Sequence, residues 1–396
     1  MILKWVISLF LYILILLVNI FFRTTIFTDI YPYLIVAFFI LIFSGIFIIL
    51  KIRIKNEKKS FETQETLNNN NLIISTVFKN EGETVVNTVN HYMNFKKPCK
   101  MVFYDDNSDD GSFEKLEDIQ TKNNDLFTVK RLVKSDKILH PKGMGFEDLI
   151  ENHECDYYLI LDADTIIDEG TLQNALRMMS VKNIKVLHFT RRNDLSNDIA
   201  NNIADTEELF STVNKVIGIF PWYFNGSGFI MKGEIAKKMI YDDYSPSDDC
   251  QISYFLRKNG IKVFDTLSLF AHEKAPTTVN KLIRQHSSWT KGGIHHYFEK
   301  EFFTIFPLAF ISAYFMFSLI NPLSIYNIFL PLALIFFLST DFISNILLAK
   351  RGFIPSIRNA IFHTFFMFFK GIIIVPYHIF SFPFKRYSFW FKRTQY

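Results

Sequence analysis

The chain has 396 residues, of which 49% are hydrophobic, 17% aromatic and 21% charged, with a formal net charge of +4. That balance excludes intrinsic disorder, a collagen-like repeat and a small disulfide-stapled scaffold, and the charge is too small to argue for a nucleic-acid partner. Cys99, Cys155 and Cys250 lie far apart without paired metal-ligand spacing and read as reduced thiols. The apolar residues, including 45 Phe, concentrate at both ends around a more polar middle.

Residues 1–22 carry a single charge, Lys4, and are long enough to cross a hydrocarbon core of about 30 Å. No small-residue cleavage site follows, which argues against a signal peptide. A second apolar run, Tyr31–Leu50, closes an N-terminal hairpin over residues 1–50. Lys51, Arg53, Lys55, Lys58 and Lys59 follow at once and place this end in the cytoplasm. Residues 51–71 read as a basic and polar linker. A soluble domain is expected over 72–282, with an interfacial segment over 283–301. Spans are expected again at Phe302–Ile320 and Ser324–Leu348. Asn359–Phe384, with Lys370, Gly371, Pro376 and Pro383, reads as interfacial or re-entrant, which closes a C-terminal region of 302–384. A basic cytoplasmic tail occupies 385–396.

Within the middle domain, Leu72–Phe78 is a β-branched run followed by a Lys79–Gly82 turn and a helical Glu83–Tyr92. Met101–Tyr104, Asp156–Leu161 and Lys185–Thr190 are further strand-like runs. Strands alternating with helices predict an α/β fold with a mostly parallel sheet, whose functional groups lie beyond the carboxyl ends of the strands.

Two acidic clusters stand at such ends. Asp105 and Asp106 open the segment DDNSDDGS. Carboxylates there can accept from a base and ribose; an Asx-rich solvated turn is the plainer reading. Asp162 and Asp164 follow the apolar strand LIL, a placement suited to a hard cation such as Mg²⁺ or Mn²⁺ bridging to phosphate. Asp248 and Asp249 precede a helical pattern and read as a general base beside an acceptor, or as a helix cap. Gly226, Ser227 and Gly228 would let backbone approach a ligand closely, or form an ordinary turn. Trp289 reads as a sugar-stacking platform or as an interfacial anchor. His286, His295 and His296 lack the spacing of a metal site.

Taken in order, these segments resemble the membrane-embedded family 2 glycosyltransferases, the group of cellulose, chitin, hyaluronan and poly-N-acetylglucosamine synthases. The resemblance covers about Leu72–Gly293. Asn80-Glu81 matches the early Asn-Glu turn, with Val77 in place of the usual Pro. Asp105-Asp106 matches the first acidic motif, which contacts the uracil end of the donor. Asp162 and Asp164 match the Asp-x-Asp motif, and Ser247-Asp248-Asp249 stands where the family has Thr-Glu-Asp. Gln285 and Trp289 match the ends of Gln-x-x-Arg-Trp, whose Arg, which in the family helps bind the diphosphate, is Ser288 here; Arg284 or Lys291 would be the substitute. Lys142-Gly143 resembles a Gly-Lys segment that approaches the donor.

The resemblance implies a GT-A-like cytoplasmic domain between N- and C-terminal transmembrane helices. It implies an inverting, UDP-sugar-dependent hexosyltransferase with Asp249 as catalytic base. Glu81, Asp105, Asp106, Lys142, Asp162, Gln285, Trp289 and Lys291 would bind the donor nucleotide. Trp289, Gly226, Ser227, Gly228 and Asp248 would face the acceptor, and Asp164 with Asp162 would hold Mg²⁺ or Mn²⁺. The implied partners are a polysaccharide or lipid-linked acceptor, membrane lipid, and accessory or secretion subunits. A single-transfer enzyme acting on a lipid acceptor stays open, as does a non-catalytic nucleotide-sugar-binding membrane protein.

Overall fold

A computed structural model describes residues 27–62, 71–133, 141–193, 198–218, 226–239, 248–300 and 329–378. At its centre are seven strands: β1 (Leu72–Phe78), β2 (Lys100–Asp105), β3 (Phe127–Arg131), β4 (Tyr157–Leu161), β5 (Val186–Asn193), β6 (Phe229–Lys232) and β7 (Val263–Glu273). They form one sheet in the order β3-β2-β1-β4-β6-β5-β7. Every pairing is parallel except those of β6, which runs antiparallel to both β4 and β5. The expected mostly parallel α/β sheet is therefore present, with one reversed strand inserted.

Buried β-branched, leucine and aromatic side chains fill both faces of the sheet, as a sheet covered on two sides requires. One core gathers Ile74, Phe103, Leu159, Leu187 and Phe189 under α2 (Glu83–Met93), α3 (Ser112–Lys122) and α5 (Glu169–Val181). The other gathers Val102, Tyr104, Tyr158, Phe229 and Met231 under α4 (Pro141–Asn152), a short α7 (Gly233–Ala236) and α8 (Asp248–Lys258).

The parallel strands send their carboxyl ends to one edge. Because β6 is reversed, its amino end, Gly226–Gly228, reaches that same edge. Seven segments of the chain thus meet where ligands of open α/β sheets are bound.

The remaining helices cover the β5–β7 side: α1 (Phe27–Lys59), α6 (Ile199–Val216), α9 (Val279–Lys300), α10 (Phe329–Leu347) and α11 (Phe353–Phe369), the last running into a π turn at Lys370–Ile374. Residues 51–59, expected within a linker, are instead the last turns of α1. The buried Glu57 carboxylate anchors them by accepting from Leu267 N–H, Ser268 N–H and Ser268 Oγ at 2.9, 3.0 and 2.6 Å.

The expected spans at 1–22 and 302–320 and the tail at 385–396 lie outside the described residues. The expected spans at 31–50 and 324–348 overlap α1 and α10. Among the described residues no helix is long and apolar enough to cross a membrane, so the expected transmembrane helices find no support there.

Candidate active site

The Asp-x-Asp turn follows β4. Asp162 accepts from the ammonium of Lys142 through Oδ1, and its own N–H donates to Ser227 Oγ at 2.8 Å. Lys142 comes from the first turn of α4, where Pro141 lacks only an N–H that the helix start would leave unpaired. Gly145 lets that helix lie close on the sheet: a Cβ there would stand 2.5 Å from Val77 Cγ2 and 3.2 Å from the Tyr104 ring. Lys142 also reaches Asp248 Oδ2 at 3.7 Å, so one ammonium joins the Asp-x-Asp turn to the start of α8. Burial opposes its charge, but Asp162, Asp248 and Asp249 outweigh that and hold its pKa above the usual lysine value.

Asp249 is packed against the backbone of Gly226. A Cβ at Gly226 would lie 1.7 Å from Asp249 Oδ1 and 2.8 Å from Asp248 Oδ2, so any larger residue would displace the Asp249 carboxylate. Burial first, and then the neighbouring Asp248, push the Asp249 pKa well above the ordinary carboxylate value, while Lys142 and Arg191 pull it back. Asp164 is raised by burial and by Asp162; its Oδ2 accepts from the Lys274 N–H at 3.3 Å. Glu81 is raised by burial, Asp164 and Asp162. The site is thus a crowded carboxylate cluster, a setting that a cation would relieve.

A second tier of residues, missed in the sequence reading, supports this cluster. Thr165 Oγ1 lies 3.2 Å from Ser227 Oγ and donates to Glu273 Oε1 at 3.2 Å. Glu273 Oε2 accepts from Arg191 at 3.4 Å, and Arg191 also donates to both carboxylate oxygens of Glu208. A chain of contacts therefore runs from α6 through the ends of β5 and β7 to the Asp-x-Asp turn. Glu273 and Arg191 each continue a strand beyond its apolar run, and that continuation was the signal available in the sequence.

Asp105 and Asp106 close β2. Asp105 is fully buried and accepts from the Ser108 N–H at 3.0 Å, so it shapes the loop. Asp106 is the more open of the two, with Lys79 Nζ 3.5 Å from its Oδ2. Asn80, at φ +55°, ties the two loops together by accepting from the Asp109 N–H at 2.9 Å.

The structure brings together Glu81, Lys142, Asp162, Asp164, Gly226, Ser227, Asp248 and Asp249. Gln285, Trp289 and Lys291 lie on α9, which packs against α6, α8 and the π turn. Trp289 is 41% exposed and meets the His286 ring edge-on at 5.0 Å. His286 in turn contacts Glu207 Oε2 at 2.8 Å. Among the described residues no group of three His, Cys, Asp or Glu side chains is arranged to hold a metal ion. Asp162 and Asp164 would therefore supply a cation with two carboxylates and leave its other positions to phosphate and water, a coordination suited to Mg²⁺.

No curated protein matches this sequence. Among solved structures, the chain is similar to the mannosyltransferase PcManGT from Pyrobaculum calidifontis in complex with GDP-Man and Mn²⁺, at 12% identity and a TM-score of 0.49, covering 86% of this chain and 97% of that one. It is also similar to S. aureus TarS at 13% identity and a TM-score of 0.38, covering 55% of this chain and 39% of that one. A TarS structure of residues 1–349 gives the same identity and score, covering 75% and 91%. These likenesses concern chain outline and carry no argument about substrate. The family model described as Glycosyl transferase family group 2 matches residues 157–369, a stretch running from β4 through the cluster to α11, and this chain belongs to that family.

Proposed function

We propose that this family 2 glycosyltransferase moves a sugar from a UDP-sugar, with inversion, to a growing polysaccharide at the cytoplasmic face of a membrane. The observation that carries the reading is the half-buried Asp249 carboxylate beside Gly226, next in sequence to Asp248, which Lys142 joins to the Asp-x-Asp turn. A pKa raised by burial and Asp248 makes ionised Asp249 a stronger base for an acceptor hydroxyl, while Lys142 and Arg191 oppose the rise. Direct displacement at the anomeric carbon then inverts an α-linked donor to a β-linked product. Asp164 and Asp162 would hold Mg²⁺ or Mn²⁺, which when bound neutralises charge on the leaving diphosphate. Glu81 and Asp106 line the donor side, and Ser227, Gly228 and Asp248 the acceptor side. A single transfer to a lipid-linked acceptor is the second reading, favoured by Ser288 in place of the motif arginine.

Asp249→Asn tests the mechanism. Turnover of a UDP- and GDP-sugar panel should fall by about 10²-fold or more while donor binding persists. Near-native turnover in the variant would remove Asp249 from its role. Product length separates polymerisation from single transfer.

The membrane reading draws support from α11. Its Ser356, Asn359, His363 and Thr364 point inward and are buried, while Phe353, Ile354 and Phe365 are 65%, 79% and 71% exposed. A helix that is polar inside and apolar outside suits an interfacial lipid contact, with exposed Lys350 and Arg358 at headgroup level. In vesicle flotation the protein should rise with liposomes, and Ile354→Glu with Phe365→Glu should weaken this. Wild-type protein that stays in the dense fraction with anionic and neutral vesicles alike would end the membrane reading.

A further inference from the structure

We propose that Lys274 is the cation that grips the donor diphosphate, in the place where the family motif has an arginine and this chain has Ser288. The inference rests on the glycosyltransferase reading above. Among the described residues three cations face the carboxylate cluster, and two are already engaged. Lys142 is bridged to Asp162 and Asp248. Arg191 is held by Glu208 on one side and Glu273 on the other, with both carboxylates almost fully enclosed.

Lys274 differs in each respect. It is the first residue after β7 and is exposed at the lip of the cluster. Its backbone N–H donates to Asp164 Oδ2, which fixes its Cα beside the carboxylate assigned to the cation. Its ammonium donates to a neutral hydroxyl, Thr84 Oγ1, at 2.7 Å. Among the described residues no carboxylate stands within ion-pair distance of that ammonium, although its charge is felt at both Glu81 and Asp164. A charged donor parked on a hydroxyl, on a flexible four-carbon stem next to the Asp-x-Asp turn, can exchange that weak partner for a phosphate oxygen. Arg284 and Lys291, the substitutes suggested by the sequence, sit instead on α9.

The side chain and the backbone of Lys274 do separate jobs, which makes the idea testable. Truncating the side chain leaves the N–H that holds Asp164. Titration calorimetry with Mn²⁺ present would measure UDP, GDP and UMP binding to the full-length protein. Lys274→Ala should weaken both diphosphates about tenfold to a hundredfold, the worth of a charge-assisted hydrogen bond. UMP, which lacks the β-phosphate, should change little. Lys274→Arg should recover most of the loss. Thr84→Val, which removes the resting partner, should keep wild-type affinity.

If Lys274→Ala binds UDP within about twofold of wild type, the proposal fails while the function stands. If Thr84→Val reproduces the full loss, or UMP weakens as much as UDP, Lys274 is merely bracing the turn and the proposal fails. Wild-type protein that binds no nucleoside diphosphate with Mn²⁺ or Mg²⁺ would overturn the function and the proposal together.

Discussion

Glu273 shows how much of this site depends on single side chains that no motif marks. Burial pushes its pKa up to about 8 from an ordinary 4.5, with Asp162, Glu208 and Asp164 adding to the rise and Arg191 opposing it. A carboxyl raised in the fold holds its proton more tightly than the unfolded chain does. Its stabilising contribution is therefore full below about pH 4.5 and is lost as pH rises through about 8. The apoprotein should lose melting temperature across that window, and Glu273→Gln, which cannot ionise, should lose less. Parallel slopes for the two proteins in thermal melts would show that Glu273 does not titrate there. The sequence singled out the carboxylates of the Asp-x-Asp turn and Asp106 because short acidic runs follow apolar strands, and Asp249 because an acidic pair precedes a helical pattern. Glu273, Arg191 and Lys274 were not, because each is an isolated charge whose meaning comes from strands that pair only in three dimensions.

At the level of elements, legibility followed periodicity. β1, β2, β4 and β5 were expected within a few residues, since each is a compact apolar run ended by polar residues. β5 continues through Arg191, Arg192 and Asn193 because buried acids receive those side chains: Glu208 for Arg191, and Asp205 for Arg192 at 2.9 Å. β3, β6 and β7 went unread. β6 has four residues, and β7 mixes Asp265, Thr266 and Ser268 into its length. Those polar side chains find partners inside the fold: His188 Nδ1 lies 3.1 Å from Asp265, and Glu57 receives Ser268. The reversed direction of β6 had no local signature, yet it is what carries Gly226 to Asp249. The α4 approach was likewise hidden, since Gly145 has significance only opposite Val77 and Tyr104.

Across the whole molecule, α6 is the joint between the sheet and the C-terminal helices. Most of its residues are buried, including Asn201, Asn202, Asp205, Thr206 and Glu208. Asp205 is completely enclosed. It accepts from Arg192 and the Asn193 N–H on the sheet side, and from Arg351 Nη2 at 2.8 Å on the α10–α11 side. Asn359 Nδ2 and Asn202 Oδ1 meet at 3.4 Å along the same seam. Asp205→Ala strands two buried guanidinium groups and should cost about 3–5 kcal/mol, read as a lower denaturant midpoint. A change within about 0.5 kcal/mol, the ordinary range of surface substitutions, would show that the seam is not held this way. The sequence placed membrane-seeking segments beyond the domain. It did not show that α10 and α11 fold back onto the catalytic half through a polar seam.

The inserted strand also sets an order of assembly. β4 and β5 are consecutive strands, but they never pair, because β6 lies between them. During synthesis β5 is complete, with all eight residues destined for burial, before either of its eventual neighbours has been made. Until β6 and β7 arrive it presents two bare edges, the condition that invites pairing with a foreign chain. The geometry that brings seven segments to one edge is therefore a geometry of long-range closure, slow to form and exposed to misassociation while it waits.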